Sequence, residues 1–176
     1  MKHYDFADKF RALYDKAVGL YAAGLTDKAA YFTAEEQDFL AANGISVQAM
    51  FDYAEDHNNY GEPGYECALE IETVRRDYFL NVQHGKASAT VLDPAKMPAK
   101  NAAVQGIEWL PRLLVKAKAK LRGELPANLM FSCVGDRNFF KSYDILPAEF
   151  LSLVWRNGDN DAATVEWVAA RSVATK

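Results

Sequence analysis

Arg75-Arg76-Asp77, set between apolar residues, is the strongest candidate for binding chemistry in this chain. The planar guanidinium fork matches a carboxylate or phosphate with two parallel hydrogen bonds. Adjacent helix positions point about 100° apart, however, so the two arginines do not easily face one ligand. The plain structural alternative has one arginine bound by the acidic segment 34–72 and the other facing solvent. Trp109, beside Pro111, is the tryptophan expected to stay partly exposed, whereas Trp155 and Trp167 sit at core spacing. Arg112 begins a stripe with Lys116 and Lys120 that could touch phosphates, although cations near a helix C-terminus also offset its dipole.

A carboxylate group, Glu55, Asp56, Glu62, Glu66 and Glu70, lies near His57, and a divalent metal site is conceivable there. Glu62 precedes a proline and falls outside helical spacing, and the Glu-x-x-His pattern of carboxylate-bridged metal bundles is absent. A solvated acidic face accounts for these residues more simply, so no metal ligand is assigned. There is no GxSxG, P-loop, GxGxxG or HExxH pattern. Val134-Gly135-Asp136-Arg137 reads as a turn into a helix. No catalytic residue and no cofactor are therefore expected.

The elements that must carry these residues are helices. Phe6, Phe10, Leu13, Tyr14, Ala17, Leu20 and Tyr21 recur at three- and four-residue spacing and trace one apolar face ending near Gly24. Thr33-Ala34-Glu35-Glu36 predicts a capping box, and Asn43-Gly44 a left-handed stop. Ser46 caps a third helix, and a fourth runs from about Tyr65 to Val82. Gly85, Ser88, Pro94, Pro98 and Gly106 punctuate residues 83–106, which read as a linker. A fifth helix starts around Glu108, with Pro111 in its first turn, and closes at Gly123. Further helices are expected from about Asp136, from Pro147 to Asn157, and from Asp161 to about Ser172.

The chain has 176 residues, half of them apolar and 12% aromatic, enough for a substantial core. The net charge of −4 gives no overall attraction to nucleic acid or anionic membrane. Charge is unevenly spread: residues 34–77 hold eleven acidic side chains against Arg75 and Arg76, while residues 96–122 hold seven basic ones against Glu108. These segments could attract each other within one molecule or between two, which makes a homodimer one form of assembly to expect. No apolar run reaches the roughly 18 residues of a membrane span. The first residues carry charges where a secretory signal needs an apolar stretch. Cys67 and Cys133 form no CxxC pair and sit among apolar residues. A cytoplasmic setting with buried, inert thiols is the expectation.

The two halves look alike. A shift of 100 residues matches Leu13 with Leu113, Lys16 with Lys116, Ala17 with Ala117, Phe39 with Phe139 and Ile45 with Ile145. It also sets Glu36 on Asp136 and Met50 on Phe150. Agreement in helix order without a gap over some forty residues points to duplication, with chance similarity between amphipathic helices as the alternative.

Gly106-Ile107-Glu108-Trp109-Leu110-Pro111-Arg112, with Lys116, Ala119 and Gly123, followed by Asp136-Arg137, Ile145, Phe150, Leu151 and Glu166-Trp167, resembles the bacterial domain of unknown function 5069 family over roughly residues 100–172. Gly61-Glu62-Pro63 and Arg75-Arg76-Asp77-Tyr78-Phe79-Leu80 are similar to the N-terminal part of its longer members. The resemblance implies a helical fold in a bacterial protein; it transfers no catalytic residue.

Together these patterns predict an all-α protein of about eight helices in two related four-helix units: an N-terminal unit over 1–82, the linker 83–106 and a C-terminal unit over 107–176. The function ranked first is a non-catalytic module holding a small anionic ligand or a protein segment with Arg75, Arg76, Trp109 and Arg112. It involves neither nucleic acid nor membrane. A metal-dependent hydrolase using His57, Glu62 and Glu66, and a homo-oligomeric scaffold, stay open as alternatives.

Overall fold

The computed structural model describes residues 3–174, apart from the side chains of 172–174. Among these residues are eight α-helices and one two-stranded ribbon, and no helix is long and apolar enough to cross a membrane. The chain divides into two compact units, residues 1–87 and 88–176.

In the first unit α1 spans Phe6–Ala22, α2 Ala34–Ala42, α3 Val47–Tyr60 and α4 Tyr65–Asn81. The apolar stripe of α1 buries Phe6, Phe10, Leu13, Tyr14 and Ala17 against α3 and α4. Met50, Tyr53 and Ala54 of α3 and Ala68, Ile71 and Phe79 of α4 complete the core. Both arms of the expected capping box form: Glu36 N–H donates to Thr33 Oγ1 at 3.3 Å, and Thr33 N–H donates to Glu36 Oε2 at 2.7 Å. Ser46 Oγ accepts from Ala49 N–H at the start of α3. After α2 the chain turns through Gly44 at φ 71°, where a Cβ would stand 2.5 Å from Phe79 Cγ. Glycine is needed there both for the left-handed backbone and for the aromatic ring beside it.

In the second unit, β1 (Ala103–Val104) pairs antiparallel with β2 (Ile107–Glu108) in the register Ala103 to Glu108 and Val104 to Ile107. Gln105 and Gly106 both have positive φ, 51° and 76°, which makes a two-residue hairpin turn of the primed kind. The first strand and the turn of this ribbon fall at the end of the stretch 83–106 expected to be a linker, and the second strand lies just beyond it. Other parts of that stretch are also tied down: Leu92 N–H donates to Glu124 O at 2.8 Å, and Ser88 Oγ donates to Glu124 Oε1 at 2.8 Å. Helices α5 (Leu110–Arg122), α6 (Val134–Ser142), α7 (Pro147–Asn157) and α8 (Asp161–Ala174) follow. Helix α5 packs on α7 and β1, and α7 on α8. Leu110, Leu113, Leu114, Ala117 and Leu121 of α5 are buried, as are Phe150, Leu151, Leu153 and Val154 of α7.

Helices α2 and α6 have nine residues each and lie 100 positions apart at both ends, and α3 and α7 start at 47 and 147. The turns after α2 and α6 share one bond pattern: Ile45 N–H donates to Leu40 O at 2.9 Å, and Ile145 N–H to Phe140 O at 3.0 Å. Asp144, at φ 51°, takes the place that Gly44 holds in the first unit, as a short polar side chain tolerates left-handed backbone better than most.

Candidate functional site

The arginine pair belongs to the first unit. Helix α4 buries both side chains, leaving Arg75 3% and Arg76 5% exposed. Arg75 Nη1 donates to Gln83 Oε1 at 2.8 Å, and its guanidinium lies 5.2 Å from the Phe79 ring centroid. Arg76 Nε donates to Asn43 Oδ1 at 2.6 Å, Nη2 bonds His3 Nδ1 at 3.0 Å, and the guanidinium covers Phe6 at 4.7 Å. The expectation that one arginine faces solvent is therefore corrected: both are packed inside. Two aromatic rings supply the faces on which their planar cations rest.

Two tyrosines are held in the same unit. Tyr14 O–H donates to Pro63 O at 2.7 Å, and Tyr53 O–H donates to the buried Glu72 carboxylate at 2.8 Å. Burial pushes the Tyr14 phenol up to about 12, with the Asp15 charge adding to it. Burial, then the Glu72 charge, carries Tyr53 well above its ordinary value.

The second unit contains a polar cluster that the sequence reading had largely assigned elsewhere. Trp109 precedes α5 with φ 70°, in the left-handed region, and its ring is half-buried. Its Nε1–H donates to Asp136 Oδ1 at 2.9 Å. Lys116 Nζ donates to Asp136 Oδ2, and Ser132 N–H reaches the same oxygen at 2.9 Å. Asp136 is thus a fully buried carboxylate with three donors, in the first turn of α6, where a negative charge meets the positive end of the helix dipole. Lys116 Nζ also reaches Cys133 Sγ at 3.4 Å. Ser132 is itself left-handed, at φ 67°, and its buried Oγ has no hydrogen-bond partner. Gly135 lets the tryptophan in, since a Cβ there would stand 2.7 Å from Trp109 Cζ2.

Arg112 lies one helical turn after Trp109, half-buried, with Nη1 donating to Pro98 O at 3.0 Å. Arg112 sits in the first turn of α5, and Trp109, in left-handed backbone, immediately precedes that helix. The stripe that could have touched phosphates is not presented to solvent: Lys116 and Lys120 are buried, at 1% and 7% exposure. Lys118 pairs with Asp161 at 2.7 Å and Arg122 with Glu124 at 2.7 Å. Trp155 and Trp167, expected in the core, are half-buried, with Arg171 stacked 4.6 Å from the Trp167 ring centroid. Both cysteines, expected to be buried, are also half-buried.

The acidic residues weighed as a metal site are read more simply as a solvated face, and Glu66 and Glu70 are exposed. Glu66 lies near Arg11 at 80% exposure, and His57 Nδ1 lies 3.2 Å from Pro63 O. Among the described residues no three or more His, Cys, Asp or Glu side chains gather where they could hold a metal ion.

The Lys116–Asp136 pair has a counterpart in the first unit, 100 positions earlier: Lys16 Nζ donates to Glu36 Oε2 at 2.6 Å, again in the first turn of the unit's second helix. There the pair is open, with side chains 37% and 28% exposed. In the 100-residue shift Lys16 falls on Lys116 and Glu36 on Asp136. Each match was visible, but the contact between the two columns was not. The chain matches no protein-family model, no curated protein and no solved structure at a significant level.

Proposed function

We propose that the chain is a non-catalytic binding module that holds an anionic small molecule or a protein segment at the start of α5, with Trp109 as anchor and Arg112 beside it. The supporting observation is how Trp109 is fixed. Its left-handed backbone costs on the order of 1–2 kcal/mol. Its indole is nevertheless held by Asp136 and seated over Gly135, and the residue stays half-buried. A rigid, half-buried tryptophan with an arginine three residues further along the chain supports a binding hot spot, because little side-chain freedom is lost when a ligand covers the ring. Arg75 and Arg76 support the first unit from within and are not part of this ligand contact. On the same reading the two four-helix units descend from one duplicated unit, and the protein is a bacterial, cytoplasmic member of the family that its 100–172 segment resembles.

The test is titration of the isotope-labelled protein with benzoate, phenyl phosphate and inorganic phosphate, following the three indole N–H resonances by NMR. The Trp109 resonance, assigned with Trp109→Phe, should move on adding an aromatic anion, and Arg112→Ala should weaken that binding at least several-fold. Movement of Trp155 or Trp167 alone would remove Trp109 from the site.

A scaffold role is favoured by one observation, the charge difference between units. Residues 1–87 carry 8 basic and 15 acidic side chains, and residues 88–176 carry 12 and 9. Self-association through these opposite charges should weaken as salt rises; sedimentation at two salt concentrations tests it.

A further inference from the structure

Lys116, Cys133 and Asp136 form a group that neither ligand binding nor helix capping fully uses. The Lys116 side chain is 2% exposed, yet one of its donors is directed at a sulfur rather than an oxygen. Sulfur is a weak acceptor for an ammonium, so this is a modest hydrogen bond at best. The thiol belongs to the residue just before α6, and that residue is half-buried rather than enclosed in the core. A partly accessible cysteine beside a cation at a helix N-terminus is the setting in which thiols react. Asp136, bonded to Lys116 Nζ, can take the proton that the ammonium must lose before its nitrogen becomes a nucleophile. Ser132, the residue before Cys133, has a buried hydroxyl without a hydrogen-bond partner.

We propose that Lys116 and Cys133 are a peroxide-responsive modification site, closing into a covalent Nζ–O–Sγ bridge. The reaction has two steps. Cys133 thiol and one hydrogen peroxide give the sulfenic acid and water. The Lys116 amine, the sulfenic acid and a second peroxide then give the N–O–S bridge and two waters. Two peroxides are reduced, and sulfur and nitrogen share the four-electron oxidation. The ammonium proton leaves to Asp136 and then to solvent. A bridging oxygen suits two atoms 3.4 Å apart better than a direct sulfur–nitrogen bond, which would need α5 and the α6 start to close up much further. Asp136 keeps the Trp109 and Ser132 donors after Lys116 is consumed. Cys67, on α4, serves as an internal control.

The experiment treats the intact chain with hydrogen peroxide and reads intact mass and joined peptides. The expected product has gained one oxygen and lost two hydrogens, with the Lys116 and Cys133 peptides linked. Dithiothreitol should restore the original mass. The product should form equally in Cys67→Ser and be absent from Cys133→Ser and Lys116→Arg, whose folds are checked by circular dichroism. If Lys116→Arg does not fold, Cys133→Ser, nearly isosteric with the thiol, carries the comparison. Accumulation of sulfinic or sulfonic acid at Cys133 without a linked peptide would overturn the proposal. So would a linked product lacking the added oxygen.

Discussion

Replacing Lys116 with Met should destabilise the second unit far more than the corresponding Lys16→Met change destabilises the first. The two lysines hold equivalent places and both bond a carboxylate in the first turn of the next helix, so the comparison isolates burial. Lys116 and Asp136 side chains are 2% and 0% exposed; Lys16 and Glu36 are 37% and 28%. Removing one partner of a buried pair leaves the other charge uncompensated, at a cost of about 3–5 kcal/mol. Asp136 would retain the Trp109 and Ser132 donors, which places Lys116→Met near the lower end of that range. Water reaches the Lys16–Glu36 pair, and exposed pairs contribute about 0.2–1 kcal/mol. At 1.4 kcal/mol per tenfold, the lower figure for Lys116 still moves the local unfolding equilibrium more than about a hundredfold. Hydrogen exchange read by mass spectrometry assigns the effect to elements. Amides of α5 and α6 should lose protection by that factor in Lys116→Met, and those of α1 and α2 by less than about tenfold in Lys16→Met. Equal losses in the two variants would refute the argument from burial.

Other consequences follow from the same contacts. Gly135→Ala drives a Cβ to 2.7 Å from the Trp109 ring, and should cost about 1–3 kcal/mol in urea unfolding; pairing it with Trp109→Leu should recover part of the loss. Thr33→Ala removes one arm of the capping box on α2 and should lower stability by about 1 kcal/mol, measured the same way. Stability should fall as pH rises above 10. The folded-state pKa of Tyr14, about 12, and that of Tyr53 lie above the ordinary value of 10.0, so the stabilisation is complete below pH 10 and is lost as pH climbs through the folded values. Tyr14→Phe should flatten that decline in melting temperature between pH 10 and 12. On the acid side the Glu36 carboxyl is held below its ordinary value chiefly by the Lys16 hydrogen bond. Its contribution is therefore present above pH 4.5 and fades as pH drops, and Lys16→Met should reduce that acid dependence.

Much of the helical frame was legible because its signals are local. The hydroxyl and carboxylate of Thr33 and Glu36 lie three residues apart, and Gly44, Gly123 and Gly158 each stop a helix within its own turn. Pro147–Asn157 came out with the expected bounds for the same reason. The ribbon at 103–108 was missed. Two residues per strand are too few for alternation to show, and Gln105 is not a residue that announces a positive φ. The start of α5 shifted to Leu110 because Trp109 takes a left-handed conformation that no propensity favours. It is held by contacts distant in sequence, its indole bonding Asp136, 27 residues on, and its backbone N–H bonding Ala102 O at 3.1 Å. The polar cluster was illegible for the same physical reason. Lys116 looked like one basic residue in a solvated stripe, and its burial depends on where α6 lies. Sequence spacing along one helix could not reveal that a carboxylate and a thiol from another helix meet it.

The measurement that tests the binding reading most directly is native mass spectrometry of the protein as purified from cells, wild type beside Arg112→Ala. Wild type should carry mass above the bare chain, from a small anion or a bound polypeptide, and Arg112→Ala should lose it while both remain folded. Bare mass in both proteins, or the same added mass in both, would contradict a ligand held by Trp109 and Arg112.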